Sequence, residues 1–456
     1  MRARPCRVWL AAFSAGTFAA AAWAPAQAQP APGDTVPQDT IVVTGPSGVE
    51  PGDTVPTALA RAAESRARVP VVPAFPDPQA GGWASARWVL LGEEIGRLPG
   101  LTLLEILERL PGMAGFRAGG FGRPEGLTAL GLGGARLRVF VDGLEMAPLG
   151  AGAFELESIP LLDIERVLIE RSVGEIRVDV RTFRLEQPEA HSAVELGTGI
   201  YQTRLLRALF SRGFGGRSVG TGGFDLVTTR GFGIREAYSH SSAVFRYGYA
   251  VTQAASLQAE WRRTAIDREG LEFPRQTTRT DLSLRGRVAL RKNVVVEGIL
   301  ARVDQEEAAE AAGAYDARIT HAVLRGAFDS ALLGAEAALR LRATDDVTPP
   351  LPTLDAVGTL RVTPVPMVRL EGAGRFASGH GISAGSASAT GVIAPLPGVS
   401  VFATLGAGRR PLPWFDGSGE SPSGRLLTAD VGGWRGGVDL DVFGLSLGLA
   451  AFQNAA

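Results

Sequence analysis

Residues 103–116 read LLEILERLPGMAGF, and residues 136–172 read RLRVFVDGLEMAPLGAGAFELESIPLLDIERVLIERS. Together these stretches lay out a small α/β unit. Thr102 stands as a helix N-cap with Glu105 three residues on, the spacing of a capping box. Leu103, Leu104, Ile106, Leu107 and Leu110 follow at helical spacing, and Leu110-Pro111-Gly112 stops the helix. Just upstream, Leu91–Leu98 reads as a helix start broken at Pro99. Arg136–Val141 alternates and runs into Asp142-Gly143, a pair that tolerates left-handed backbone and so marks a tight turn. Glu155–Pro160 then leads into a strand, Ile164–Arg171, and Ile176–Thr182 closes the unit as a second one.

Working outward towards the N-terminus, residues 1–28 have the anatomy of a secretory signal. Arg2, Arg4 and Arg7 precede an apolar run from Val8 to Trp23, and Ala26-Gln27-Ala28 offers a small-x-small cleavage site. The single cysteine, Cys6, lies inside this leader, so the exported chain is expected to carry no disulfide and no thiol ligand. Residues 29–82 are rich in Pro, Ala, Gly and Asp without a sustained period, and read as flexible linker. One segment within it, residues 39–45, breaks the pattern. Thr40, Ile41, Val42, Val43 and Thr44 form a β-branched run suited to joining the sheet edge of a partner.

Towards the C-terminus the rhythm changes to a period of two. Ala255, Leu257, Ala259 and Trp261 alternate with Ser256, Gln258, Glu260 and Arg262. Leu282, Leu284, Val288 and Leu290 oppose Ser283, Arg285 and Arg287, and Leu339 and Leu341 oppose Arg340 and Arg342. Such alternation places apolar groups on one sheet face and charges on the other. At about 9–11 residues per strand plus turns, residues 187–456 hold roughly 14–18 strands of a transmembrane barrel with a wet lumen. Pro-containing links such as residues 363–366 and 394–398 suit short turns, whereas residues 263–278, 304–316, 344–355 and 409–424 read as longer external loops. Beyond the leader no apolar run reaches the length of about 20 residues that a spanning helix needs. A bilayer crossing therefore requires a closed barrel.

Composition narrows function further. Lys and Arg number 46 against 47 Asp and Glu, for a net charge of −1, which removes the electrostatic case for nucleic-acid binding. His191, His240, His321 and His380 are scattered without metal-ligand spacing, so no metal site is expected. The Gly-rich pieces lack the Gly-Lys-Ser/Thr ending of a phosphate loop, and no nucleophile elbow opens a helix. Neither catalysis nor a cofactor is expected.

The order leader, linker, α/β unit, β-rich remainder resembles that of TonB-dependent outer-membrane receptors. LLEILERLPG, the Asp-Gly strand end, the Ile-Pro approach and IERVLIER each resemble an element of that family's plug domain, in the family's order. The resemblance implies an α+β plug domain over residues 83–186, followed by an all-β antiparallel outer-membrane barrel. It also implies that residues 39–45 serve as a TonB box, bound by a TonB-type inner-membrane energiser, and that the barrel meets outer-membrane lipid. An unidentified small-molecule ligand would be taken up across the outer membrane. The ligand-facing plug loops would present Phe116, Arg117, Phe121 and Arg123 from one loop, and Asp142, Leu144 and Glu145 from another. Two departures stand out: Leu130 occupies the place of a usual arginine, and the link after IERVLIER is cut to Arg171-Ser-Val-Gly-Glu175. The plug is thus shortened. The strand number also falls below the 22 of large outer-membrane transporters. Because the chain ends Phe452-Gln-Asn-Ala-Ala456 instead of on a terminal aromatic, a fragment is favoured over a smaller barrel. A non-energised binding or structural barrel is the alternative function, and a soluble secreted β-rich adhesin a more distant one.

Overall fold

The computed structural model describes residues 41–44, 87–117, 125–129, 132, 137–146, 156, 159–172, 174–182, 190–214, 216–231, 237–269, 275–309, 313–345, 352–412, 427–442 and 445–455. The leader, most of the expected linker, Thr40, Phe121 and Arg123 lie outside these residues.

After strand β1 (Ile41–Thr44), the α/β unit opens with β2 (Arg87–Leu91) and a one-turn helix α1 (Gly92–Ile95). Helix α2 (Leu103–Leu107) starts as its sequence dictates, with the Thr102 hydroxyl accepting from Glu105 N at 3.3 Å. The Glu105 carboxylate reaches one residue further back than a standard capping box, accepting from Leu101 N at 2.7 Å. Leu103, Leu104, Ile106 and Leu107 are all fully buried, each stabilising the unit by about 1.5–3 kcal/mol. Strands β3 (Met113–Arg117) and β4 (Glu125–Ala129) form a two-stranded ribbon. Strands β5 (Leu137–Val141), β6 (Leu144–Glu145), β7 (Ile164–Ser172) and β8 (Glu175–Thr182) join β2 in a five-stranded sheet ordered β2-β7-β8-β5-β6, in which β5 and β8 run parallel.

Two turns fix this sheet. Asp142 and Gly143 both take left-handed backbone, with φ of 53° and 82°, as a two-residue hairpin between Val141 and Leu144 requires. The shortened link after IERVLIER is a tight hairpin pairing Ser172 with Glu175, with Gly174 at φ 77°. The alternation of Arg136–Val141 predicts one buried and one solvated face, yet Leu137, Arg138, Val139 and Phe140 are all buried. Leu137 and Val139 enter the unit's own apolar core, while Arg138 is enclosed by groups from the surrounding wall.

That wall consists of fifteen consecutive antiparallel strands. They are β9 (His191–Gly199), β10 (Thr203–Phe214), β11 (Ser218–Thr229), β12 (Tyr238–Ala250), β13 (Ala255–Arg268), β14 (Arg275–Arg291), β15 (Val294–Ala309) and β16 (Gly313–Asp329). There follow β17 (Leu333–Asp345), β18 (Leu354–Val365), β19 (Val368–Gly379), β20 (Ile382–Leu396), β21 (Val399–Leu412), β22 (Leu427–Val442) and β23 (Leu445–Ala455). The two faces are sorted inside out relative to a soluble sheet. Leu257, Trp261, Leu282 and Leu284 are 49%, 40%, 55% and 51% exposed, whereas Arg262 and Arg285 are 7% and 4% exposed. A soluble β-sandwich would bury the first set and solvate the second, so the secreted-adhesin expectation is corrected here: the outward apolar face suits lipid.

Plug groups meet the wall from one end of its strand order to the other. Arg207 in β10 donates to Leu101 O at 2.7 Å, and Arg246 in β12 to Asp163 at 2.6 Å. Asp355 in β18 accepts from Arg138 at 2.7 Å, and Asn454 in β23 accepts from Arg171 at 2.8 Å. The sheet therefore wraps around the α/β unit. Its links alternate: residues 251–254, 292–293, 366–367 and 397–398 are tight turns at one end, whereas 230–237, 346–353 and 413–426 at the other are longer. Strand β1 pairs antiparallel with β9, Ile41 opposite Leu196 and Thr44 opposite Ala193. Among the described residues no ladder joins β23 to β9.

Candidate functional site

The site is the seam between the enclosed domain and the wall, and it is built from ion pairs. Arg138 is its hub. Alternation turns this residue away from the apolar core and towards the wall, where its Nε donates to Glu145 Oε1 at 2.5 Å and its Nη2 to Glu145 Oε2 at 2.8 Å and Asp355 Oδ2 at 2.7 Å. Its third nitrogen lies 3.6 Å from Glu175. The wall answers each of these carboxylates with arginines of its own: Arg342 donates to Glu145, Arg375 to both Asp355 and Glu175, and Arg410 stands 3.1 Å from Glu175. Burial alone would lower the Arg138 guanidinium, but Glu145, Asp355 and Glu175 hold it well above its ordinary value. Burial would likewise raise the Glu145 carboxyl, and Arg138 and Arg342 overcome it and hold it far below the usual carboxylate range. For Glu175 the same contest, with burial opposed by Arg138, Arg410 and Arg375, ends at about 2.

Further contacts of the same kind ring the domain. Asp163 receives Arg246 at 2.6 Å and Arg262 at 3.3 Å. Glu297, fully buried in β15, gathers Arg285 at 2.9 Å, Arg287 at 3.1 Å and Arg325 at 2.6 Å, and Arg285 also donates to Asp142 O at 2.6 Å. Arg87 in β2 bridges Glu170 of the domain and Glu371 of the wall, each at 2.6 Å. Burial would lower Arg87 too, but the Glu170 carboxylate, the largest influence, and Glu371 hold it above its ordinary value.

The structure separates the expected ligand-facing residues. Asp142, Leu144 and Glu145 come together in a crevice of about 70 Å³ beneath the longer connections, opposite Arg262, Thr277, Arg279 and Gln305. Both acids there already have structural partners: Asp142 accepts from Thr182 N at 3.1 Å and Thr182 Oγ1 at 2.6 Å, and Glu145 is held by Arg138 and Arg342. Phe116 lies elsewhere, on the β3–β4 ribbon, half exposed and opposite Gly126. Arg117 ends β3 with its side chain outside the described residues, as are Phe121 and Arg123. Of the segment expected to bind an energiser, Ile41–Thr44 lie against β9 and Thr40 is outside the described residues. Arg138, Asp163, Glu175 and Asp355 are the residues the motifs missed. A signal did exist for Arg138, Glu175 and Asp355, each a charge on the parity opposite most apolar residues of its own strand, whereas Asp163 ends a single helical turn before β7, where alternation gives no signal.

An antiparallel wall with apolar residues outside and arginines inside, wrapped around an ion-paired α/β domain, defines a class of protein: a membrane β-barrel occluded by a plug. Residues 83–179 match the family model described as "TonB-dependent Receptor Plug Domain". The fold is similar to the ferric enterobactin receptor of Pseudomonas aeruginosa, at 12% identity and a TM-score of 0.66, covering 82% of this chain and 71% of that one. It is also similar to the FrpB iron transporter of Neisseria meningitidis, at 12% identity and a TM-score of 0.66 over 82% and 73% of the two chains. The copper transporter OprC aligns at 12% identity and 0.63 over 85% and 73%. No curated protein sequence matches. Residues 83–179 thus form a TonB-dependent receptor plug domain, and the chain as a whole has a plug-and-barrel fold.

Proposed function

We propose that this plug-gated receptor resides in the outer membrane and takes up an external small molecule, driven by a TonB-type energiser of the inner membrane that grips Thr40–Thr44. The observation that carries this reading is how the plug is held. Its apolar core, centred on Leu103, Leu104, Ile106, Leu107, Val139 and Val178, is self-contained. Its attachment to the wall, by contrast, runs mainly through guanidinium contacts such as Arg138–Asp355 and Arg246–Asp163, with Leu101 packing on a small wall cluster around Leu205. Buried ion pairs are balanced closely against hydration of the separated charges, so water entering the seam can replace them. A domain that keeps its own core and loses only such contacts can shift as a body. Pairing of Ile41–Thr44 with the β9 edge supports the same reading, since an energiser would bind the segment by the same strand addition. The exposed Leu and Val stripe of the wall would face lipid.

The test is binding of the purified periplasmic domain of a TonB-type energiser to the full-length receptor in detergent, with and without residues 39–45. Saturable binding that the deletion abolishes is the expected result. Equal binding by both proteins would instead favour the non-energised barrel.

A further inference from the structure

Three cavities lie along the plug–wall seam, and one stands apart in charge. The crevice at Asp142 is lined by three arginines and four carboxylates, and a second cavity, of about 160 Å³, by seven arginines and six carboxylates. The third, of about 120 Å³, lies between plug strands β5, β7 and β8 and wall strands β17–β22, and is lined by nine arginines and only three carboxylates. Asp179 and Asp355, which pair with Arg177, Arg138 and Arg375, are not among its lining residues. Arg177 and Arg340 thus face the cavity with their nearest carboxylates, Asp179 and Asp355, set to one side, whereas Arg87, Arg138, Arg375 and Arg410 are paired with Glu170, Glu175 and Glu371 of the lining. Its lining extends from Arg410, near the long-connection end of β21, to Arg369, beside the tight-turn end of β19.

Within it, Arg340 is 4% exposed and lies over the Phe140 ring at 4.9 Å. Its Nε and Nη1 make no hydrogen bond, and its nearest carboxylate, Asp355, is 3.6 Å away. Arg177 Nε, also on the lining, is in the same state. A buried donor left unmade is costly, more so when the group is charged. An oxyanion recovers that cost, because phosphate and carboxylate oxygens match the guanidinium fork.

We propose that this cavity binds an oxyanion-bearing small molecule, phosphate or carboxylate, with Arg340 and Arg177 as principal donors. The site lies inside the lumen beside the plug, so, on the receptor reading above, it is a station on the transit path and selects for anionic cargo.

The experiment is calorimetric titration of the full-length receptor, folded in detergent, with inorganic phosphate in one arm and succinate in the other, in low-chloride buffer. Saturable binding of either is expected, and the arm that binds more tightly names the oxyanion. Arg340→Met should weaken it about tenfold or more, the loss of a charge-assisted contact. Arg177→Gln is the second variant should the first not fold. Arg361→Met, in the charge-balanced cavity, should bind as wild type. No saturable signal in either arm, or affinity equal to wild type in the Arg340 and Arg177 variants, overturns the proposal. Deleting residues 39–45 should leave this binding intact while abolishing energiser binding, so failure of one reading is distinguishable from failure of the other.

Discussion

Replacing Arg138 by Met removes the hub of the seam while keeping a chain of similar length over Phe140. The wild-type guanidinium makes contacts of 2.5 Å and 2.8 Å to Glu145 and 2.7 Å to Asp355. Breaking one partner of a buried pair costs about 3–5 kcal/mol, because the other charge is stranded. Here none is stranded outright: Glu145 keeps Arg342, Asp355 keeps Arg375 at 2.8 Å, and Glu175 keeps Arg375 at 2.7 Å and Arg410. The expected cost is therefore the lower end, about 3 kcal/mol, and it falls on plug docking through the lost Arg138–Asp355 contact, the one of the three that crosses from plug to wall. At about 1.4 kcal/mol per decade, the undocked population rises on the order of a hundredfold. Carbodiimide labelling of the protein in detergent reads this directly, since Glu145 and Glu175 are buried until the plug opens from the wall. Labelling of both should rise about a hundredfold, with that of the exposed Asp304 in β15 unchanged. Rises of less than threefold would refute the claim that ion pairs hold the plug. An equal rise at Asp304 would refute the claim that the plug moves as a separate body.

The low carboxyl pKa of Glu175, about 2 against an ordinary 4.5, makes docking acid-sensitive. A depressed folded-state value stabilises above the ordinary pKa and loses that contribution as pH falls through the folded one, so about 3 kcal/mol should disappear between about pH 4.5 and pH 2. Protease susceptibility of β7–β8 that stays flat across this range would contradict it. Asp142→Ala removes both bonds to Thr182 and puts a Cβ-bearing residue that lacks the Asp side chain's local hydrogen bonds at φ 53°; plug stability in urea should fall by about 2–3 kcal/mol, and a change under 0.5 would count against the turn's role. Leu282→Arg, near the middle of β14 and facing outward, should reduce folding into lipid vesicles by about 2–4 kcal/mol, whereas an unaffected yield would remove β14 from the bilayer.

Local chemistry made much of this fold legible. The α2 cap, the Asp142-Gly143 turn and the period-two strands depend on neighbours within a few residues, and propensity, hydrogen bonding and alternation act at that range. The same alternation announces that strands such as β13, β14 and β17 have a charged face and an apolar face, but it is symmetric: nothing in Leu282-Ser-Leu-Arg285 states which side meets protein. Tertiary structure decided that, because only a sheet wrapped around the plug puts Arg285 against Asp142 and Glu297 and leaves Leu282 outside. It also decided the site. Arg138 and Asp355 are separated by 217 residues, and no local pattern encodes a pair whose partners meet only once the wall has closed around the plug. The acids expected to face a ligand, Asp142 and Glu145, line the crevice and also hold the turn and the seam, since a buried carboxylate takes the nearest donors available. Residue order thus determined the elements and their two-faced character, and long-range burial of charge determined what those faces do.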